Sequence, residues 1–298
     1  MMNYGEMSKV IEVNGLSRSF DDTTVVDQVT FDVPGSSVTG LIGKNGAGKT
    51  TVIKLLLGLL RPDEGSSTIF GEDSLTMSRE TRRRIGYLSE ESLPYDDMTL
   101  PQILRWVSSF FEDWDWKWSQ DLVDRLDIPL GQTLEDMSAG ERRRSELVVV
   151  LAQKPDLLIL DDPAVGLDAT VRRDFLWAAL ETTRQEGKSV LMTSHILHDV
   201  ERAVDRMGFL ANGALKEWGE LDEIKTRTKR IVIEMNGTPL PDSIPGELTR
   251  NEKDGFFIAV TRDFSESWFA PLATRYTATV EDLNLEDIFL SHDRGGVS

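Results

Sequence analysis

Residues 43–51 read GKNGAGKTT, and Gly43, Gly48, Lys49 and Thr50 fit the pattern G-x-x-x-x-G-K-[ST]. A turn so rich in glycine lets its backbone N–H groups converge on one point, and a helix start behind it adds partial positive charge. Lys49 then supplies a point charge suited to β- and γ-phosphates, and the Thr50 hydroxyl suits Mg²⁺. The chemistry indicated is the binding of a nucleoside triphosphate. The plainer alternative, a glycine-rich helix start with no ligand, is disfavoured by an apolar run directly before the loop and a helical pattern directly after it.

A second stretch, LLILDDPAVGLD at 157–168, ends an apolar run with two adjacent carboxylates. Like charges withdrawn from water repel, so Asp161 and Asp162 require a cation nearby. The phosphate loop offers one, because a carboxylate at a strand end is what holds Mg²⁺ in proteins with such a loop. Aspartates that merely cap the following turn are the alternative.

These groups must be carried by regular elements. Short β-branched runs predict strands at Val10–Val13, Val38–Ile42, Ile85–Leu88, Leu157–Leu160, Ser189–Thr193 and Met207–Ala211. Helical patterns are predicted at Lys49–Leu57, Ala139–Gln153, Thr170–Gln185 and Ile196–Val204. The alternation implies an α/β sheet with parallel character. The stretch before the first helix reads as antiparallel strands, and residues 90–155 as a helical insertion. From about Lys229 onward KRIVIEM, GFFIAV and RYTATV read as short strands, NGTPLPDSIPG as a loop and LNLEDIFLSH as a terminal helix, giving a small α+β domain.

Composition narrows the function classes. The 298 residues include 51 acidic and 33 basic side chains, a net charge of −18, which argues against a general nucleic-acid binder. There is no cysteine, so disulfides and thiolate chemistry are excluded. MMNYGEMSKVIEV has no apolar core of signal-peptide length, and LVVVLA is far short of a bilayer span. The expectation is a cytoplasmic protein that meets a membrane only through a partner.

The segment MSAGERRRSELVVVLAQKPDLLILDDPAVGLD, in unbroken order with the phosphate loop, resembles the ATP-binding cassette (ABC) ATPases over residues 9–226. The resemblance implies an α/β fold: a P-loop NTPase (RecA-like) core with an antiparallel β subdomain and a helical insertion, plus a small α+β C-terminal domain. Residues 1–226 would be the nucleotide-binding domain, with its helical part at about 90–155, and 227–298 an accessory domain. It further implies a phosphate loop of Gly43, Lys44, Asn45, Gly46, Ala47, Gly48, Lys49, Thr50 and Thr51. Phe20 matches the aromatic that stacks on adenine; read alone it is equally a core phenylalanine. Glu90, in IGYLSEE, stands where many members have glutamine at a metal and water contact.

In the family Ser138 and Gly140 match signature residues that reach the γ-phosphate held by the opposite subunit. Ala139 and Glu141 depart from the commonest Ser-Gly-Gly-Gln form. Asp168 matches an aspartate that communicates across the dimer, and would also cap the helix it precedes. His195 in LMTSHILHD matches the switch histidine; His195 and His198 have no third ligand that would make them a metal pair. Asp161 is expected on Mg²⁺ with Thr50 and Glu90. Asp162 takes the place of the glutamate that polarises the attacking water, about 1.5 Å shorter by one methylene. A misplacement of about 1 Å costs roughly a hundredfold in rate. A slow site, an advanced loop, or water shared with His195 and Glu90 are the three readings.

LDDP, with FFEDWDWKWSQDLVDRLDIPL, resembles one branch of bacterial exporter subunits, and the ending TVEDLNLEDIFLSH resembles the ABC-2-type export ATPases. The implied function is the MgATP-hydrolysing subunit of an exporter, paired with a second ATPase subunit and with membrane permease subunits on the inner face of the membrane. Trp106, Phe110, Phe111, Trp114, Trp116 and Trp118 are either the core of the helical part or a groove for a permease helix, with Tyr95 to Thr99 at the contact. The alternative is a soluble ABC ATPase acting on ribosomes or DNA, which the single cassette and acidic charge disfavour.

Overall fold

In the computed structural model residues 9–185, 187–237 and 239–294 are described. Residues 1–8, which carry most of the leader expectation, and 295–298 of the expected accessory domain lie outside them.

Three sheets organise the chain. The first is antiparallel: β1 (Lys9–Phe20) pairs with β2 (Thr23–Pro34) and with β4 (Glu64–Ile69), which carries the short β5 (Glu72–Asp73). The single strand expected at Val10–Val13 is thus one part of a long hairpin.

The second sheet has the order β10-β9-β3-β8-β7-β6, with β3 (Val38–Ile42), β6 (Ile85–Leu88), β7 (Leu157–Leu160), β8 (Ser189–Ser194) and β9 (Arg206–Ala211) parallel. β10 (Ala214–Glu220) adds an antiparallel edge. Every residue of β3, β7 and β8 is buried. Both faces of this sheet are covered, one by helices and the other by the antiparallel sheet and the helix after β3, so its strands read as unbroken apolar runs rather than alternating ones.

The helices of this part are α1 (Lys49–Leu56), α2 (Arg79–Arg83), α3 (Leu100–Ser108), α4 (Trp116–Leu126), α5 (Ala139–Leu151), α6 (Ala169–Gln185), α7 (Leu197–Glu201) and α8 (Leu221–Arg227). Three sequence-based helix ends were too generous, α1 stopping at Leu56 rather than Leu57. α5 stops at Leu151 rather than Gln153, and α7 spans only Leu197–Glu201, after which the chain turns through Ala203 N–H on Val200 C=O into β9. Among the described residues no helix is long and apolar enough to cross a membrane.

The helical insertion divides its aromatics. Phe111, Trp114 and Trp118 pack on the core, and the Trp118 indole donates to Leu151 C=O at 3.1 Å. Trp106, Phe110 and Trp116 stay about half exposed, with Trp106 between a tilted Tyr95 and an edge-on Phe110.

The third sheet, β12-β13-β11-β14, is antiparallel and formed by β11 (Lys229–Glu234), β12 (Glu247–Lys253), β13 (Phe256–Thr261) and β14 (Ala278–Asp282). α9 (Glu266–Arg275) closes one face with Phe269 over Ile231, Ile233 and Phe257. The terminal α10 (Leu285–Arg294) instead reaches the cassette: Phe289 meets Phe209 of β9 edge-on, the His292 ring lies tilted against it, and Asp293 pairs with Lys44 at 2.6 Å.

Candidate functional site

Four parallel strands lie side by side in the order β3-β8-β7-β6, and the residues of interest leave their C-terminal ends. That end of an open α/β sheet is where ligands bind. The phosphate loop follows β3, Ser194 ends β8 and His195 follows it, Asp161 and Asp162 follow β7, and Glu90 lies two residues past β6.

The loop folds as a cradle because its glycines allow it. Gly48, the N-cap of α1, has φ +102°, and a Cβ there would lie 2.5 Å from the Val25 carbonyl of β2. Gly46 has φ +80°, and a Cβ on it would meet nothing within 4 Å, so its backbone faces open space. A cavity of about 360 Å³ opens above, lined by Val25, Asn45, Gly46, Gly48, Lys49, Thr50, Thr51, Glu90 and Asp162. The other loop residues shape it from behind. Gly43 N–H donates to Ser194 C=O, Ala47 C=O accepts from Gly213, and the Lys44 side chain turns away to Asp293.

Lys49 is almost fully buried; its ammonium donates to Gly43 C=O at 2.9 Å and Lys44 C=O at 3.2 Å, and lies 3.8 Å from Asp162 Oδ2. Burial holds the lysine below its ordinary pKa, while Asp162, Asp161 and Glu90 pull it back up. Asp162 also receives His195 Nδ1 at 2.9 Å on both oxygens. Lys49 is therefore the cation beside Asp162, and the shorter side chain at 162 reaches both that ammonium and the His195 imidazole.

Asp161 and Asp162 are differently placed. Asp161 is fully buried; its Oδ1 accepts from the Thr193 hydroxyl at 2.7 Å, and its Oδ2 has no hydrogen-bond partner. A buried carboxylate oxygen without a donor fits a cation. Among the described residues no group of three or more His, Cys, Asp or Glu side chains could hold a metal. A Mg²⁺ here would be held between Asp161, Thr50 and the phosphate oxygens of a nucleotide, which suits a hard cation that keeps several waters.

Phe20 is 41% exposed at the end of β1, with the Arg18 guanidinium 5.0 Å from its ring centre. It is not a core phenylalanine, and it does not line the cavity above the loop. The pattern gave no hint of Val25, five residues on, which does.

Ser138, Ala139, Gly140, Glu141 and Asp168 lie apart from this cavity. Ser138 caps α5 in a reciprocal box: its hydroxyl accepts from Glu141 N–H at 3.3 Å, and Glu141 Oε2 accepts from Ser138 N–H at 2.9 Å. The Ser138 hydroxyl and N–H hold the Glu141 carboxyl below its usual range. Asp168 Oδ1 accepts from Thr170 and Val171 N–H, both at 3.0 Å, and so caps α6. The two helix starts adjoin, since a Cβ on Gly140 would lie 3.2 Å from Val171. Ser138, Ala139 and Asp168 are exposed.

Residues 26–165 match the family described as ABC transporter. The chain is 30% identical over 216 residues to the ABC transporter ATP-binding protein YtrB of Bacillus subtilis, covering 72% of this chain and 74% of that protein. It is 31% identical over 293 residues to a Nod factor export ATP-binding protein I of Burkholderia thailandensis, covering 94% and 95%. A solved ATP-binding subunit of an ABC transporter superposes with a TM-score of 0.66 at 30% identity, over 73% of this chain and 92% of that one.

Proposed function

Because this chain belongs to the ABC transporter family as an ATP-binding protein, we propose that it binds and hydrolyses MgATP to drive export through separate membrane permease subunits. The observation that carries this reading is the meeting of Lys49, Asp162 and His195 beside the glycine cradle, with the free Oδ2 of Asp161 next to them.

In this reading the N–H groups of the loop and Lys49 bind the β- and γ-phosphates. Thr50, Asp161 and Glu90 would hold Mg²⁺, which would supply charge neutralisation for the β- and γ-phosphates. Asp162 orients the attacking water and accepts its proton. His195, on Asp162 through Nδ1, fixes that carboxylate and faces the γ-phosphate with its other nitrogen. Phe20, exposed beside Arg18, stacks on the adenine.

Two copies sandwich two nucleotides. The exposed starts of α5 and α6 present Ser138, Gly140 and Asp168 to the partner's phosphates, and their N–H groups favour an anion there. Ala139 and Glu141 belong to the same surface, with Glu141 stiffening the cap. Closure on ATP and reopening after hydrolysis move the permease, which contacts Tyr95 to Thr99 and the exposed Trp106 and Phe110. The near full-length relative named for Nod factor export supports the outward direction.

The test is steady-state ATPase of the purified chain, alone and reconstituted with its membrane partner. Turnover above background that falls with Asp162→Asn is expected. Background turnover in both preparations, indifferent to that substitution, overturns the reading.

A further inference from the structure

Thr193 is the residue through which the two carboxylates are fixed, and neither the phosphate loop nor the acidic stretch contains it. It lies next to the C-terminal end of β8, fully buried, on the strand between the phosphate loop and the acidic strand end. Its hydroxyl touches two groups: Asp161 Oδ1 at 2.7 Å and the backbone N–H of Asp162 at 2.9 Å. An N–H can only donate, so the hydroxyl oxygen accepts there and its single proton must go to Asp161.

Two consequences follow. One oxygen of Asp161 is committed, so the carboxylate cannot rotate and the orphaned Oδ2 is the one offered to a cation. The backbone at Asp162 has φ +41°, a conformation that L side chains adopt at a cost, and its N–H is anchored to the same oxygen. One hydroxyl thus sets the direction of the metal-facing oxygen and the position from which the shortened Asp162 side chain departs.

We propose that Thr193 is a positioning residue for the magnesium site, orienting Asp161 Oδ2 toward the ion and holding the Asp162 backbone in its left-handed turn. The proposal rests on the MgATP reading above. Partners that orient a metal ligand are worth about 10–100-fold in metal affinity.

The test compares wild type, Thr193→Val and Thr193→Ser in nucleotide binding at rising Mg²⁺, followed with a fluorescent ATP analogue, and in EDTA. Thr193→Val should need about tenfold more Mg²⁺ for half-maximal binding, with unchanged affinity in EDTA. Thr193→Ser keeps the hydroxyl and should restore the wild-type Mg²⁺ response, a rescue that a packing role would not give. A Thr193→Val protein with the wild-type Mg²⁺ midpoint overturns the proposal and leaves the MgATP reading standing. So does a Thr193→Ser protein that has lost the Mg²⁺ response, which keeps the test decisive even if the valine variant folds poorly. Wild-type protein that binds no nucleotide at any Mg²⁺ concentration overturns the reading itself, and the proposal with it.

Discussion

His195 Nδ1 lies 2.9 Å from each carboxylate oxygen of Asp162, and Lys49 sits 3.8 Å from Oδ2 of the same group. The shorter acid at position 162 is therefore within reach of both the ammonium of Lys49 and the imidazole of His195. Asp162→Asn removes the charge that holds His195 and weakens proton acceptance from water. ATP turnover should fall by about a hundredfold or more, while MgATP binding by equilibrium titration stays within a few-fold. Asp162→Glu keeps the charge and should stay within about tenfold of wild type. Equal turnover in Asp162→Asn and wild type would remove Asp162 from the chemistry.

Lys49 is buried and held by two loop carbonyls, so its ammonium is fixed where the phosphates are expected. Lys49→Met keeps most of the stem and removes the charge. At a hundredfold excess over Kd, a ligand that binds only the folded state stabilises it by about 2.7 kcal/mol. Wild type should show that gain with MgATP in urea unfolding, and the variant a gain of less than about 1 kcal/mol at the same concentration. An undiminished gain would place the triphosphate elsewhere.

Much of this site was readable because the backbone dictates it. A phosphate loop needs glycine at Gly46 and Gly48, and a fully buried strand such as β7 has to be an apolar run, so both stand out in the chain. Thr193 did not, because one hydroxyl inside VLMTS looks like an ordinary strand residue until its neighbours on β7 are known. β12, ELTRNEK, escaped because it pairs only with β13 and is mostly exposed, so it lacks an apolar face. The docking of α10 on Phe209 joins residues far apart in sequence, and no local pattern encodes it. The aromatic run was readable as a cluster but not as two sets, since helical phase alone decides that Trp118 turns inward and Trp116 outward.

Arg143 joins the loops that carry Glu90 and Asp162. Buried in α5, it donates to Ser89 C=O and Pro163 C=O, both at 2.7 Å, and to Glu146 at 2.8 Å. Glu146 in turn accepts from Leu93 N–H at 3.0 Å. Glu146 keeps Arg142 Nε at 3.5 Å, so Arg143→Met weakens rather than abolishes its pairing and should cost about 1–3 kcal/mol in denaturant unfolding. The double variant Arg143→Met, Glu146→Met should recover part of that loss. A single variant within about 0.5 kcal/mol of wild type would show that the pair does not hold these loops.

His292 joins α10 to the cassette, and its imidazole is pushed down to about 4, first by burial and then by Arg262 and Arg227. Glu217 lies 3.6 Å from its Nε2 and pulls the other way, but the second Glu217 oxygen is committed to the Arg227 guanidinium. Above its ordinary pKa of 6.5 the histidine is neutral in both folded and unfolded chains. As pH falls from 6.5 toward 4, the unfolded chain takes up a proton that the folded chain refuses, so stability drops; below 4 both are protonated and the loss is complete. The full shift corresponds to a loss on the order of 3 kcal/mol. His292→Gln removes the titration, so unfolding free energies of wild type and variant between pH 7 and pH 4 should differ by a gap that changes by about that amount. Parallel curves through this window would mean that the imidazole is protonated as readily in the folded chain as in the unfolded one.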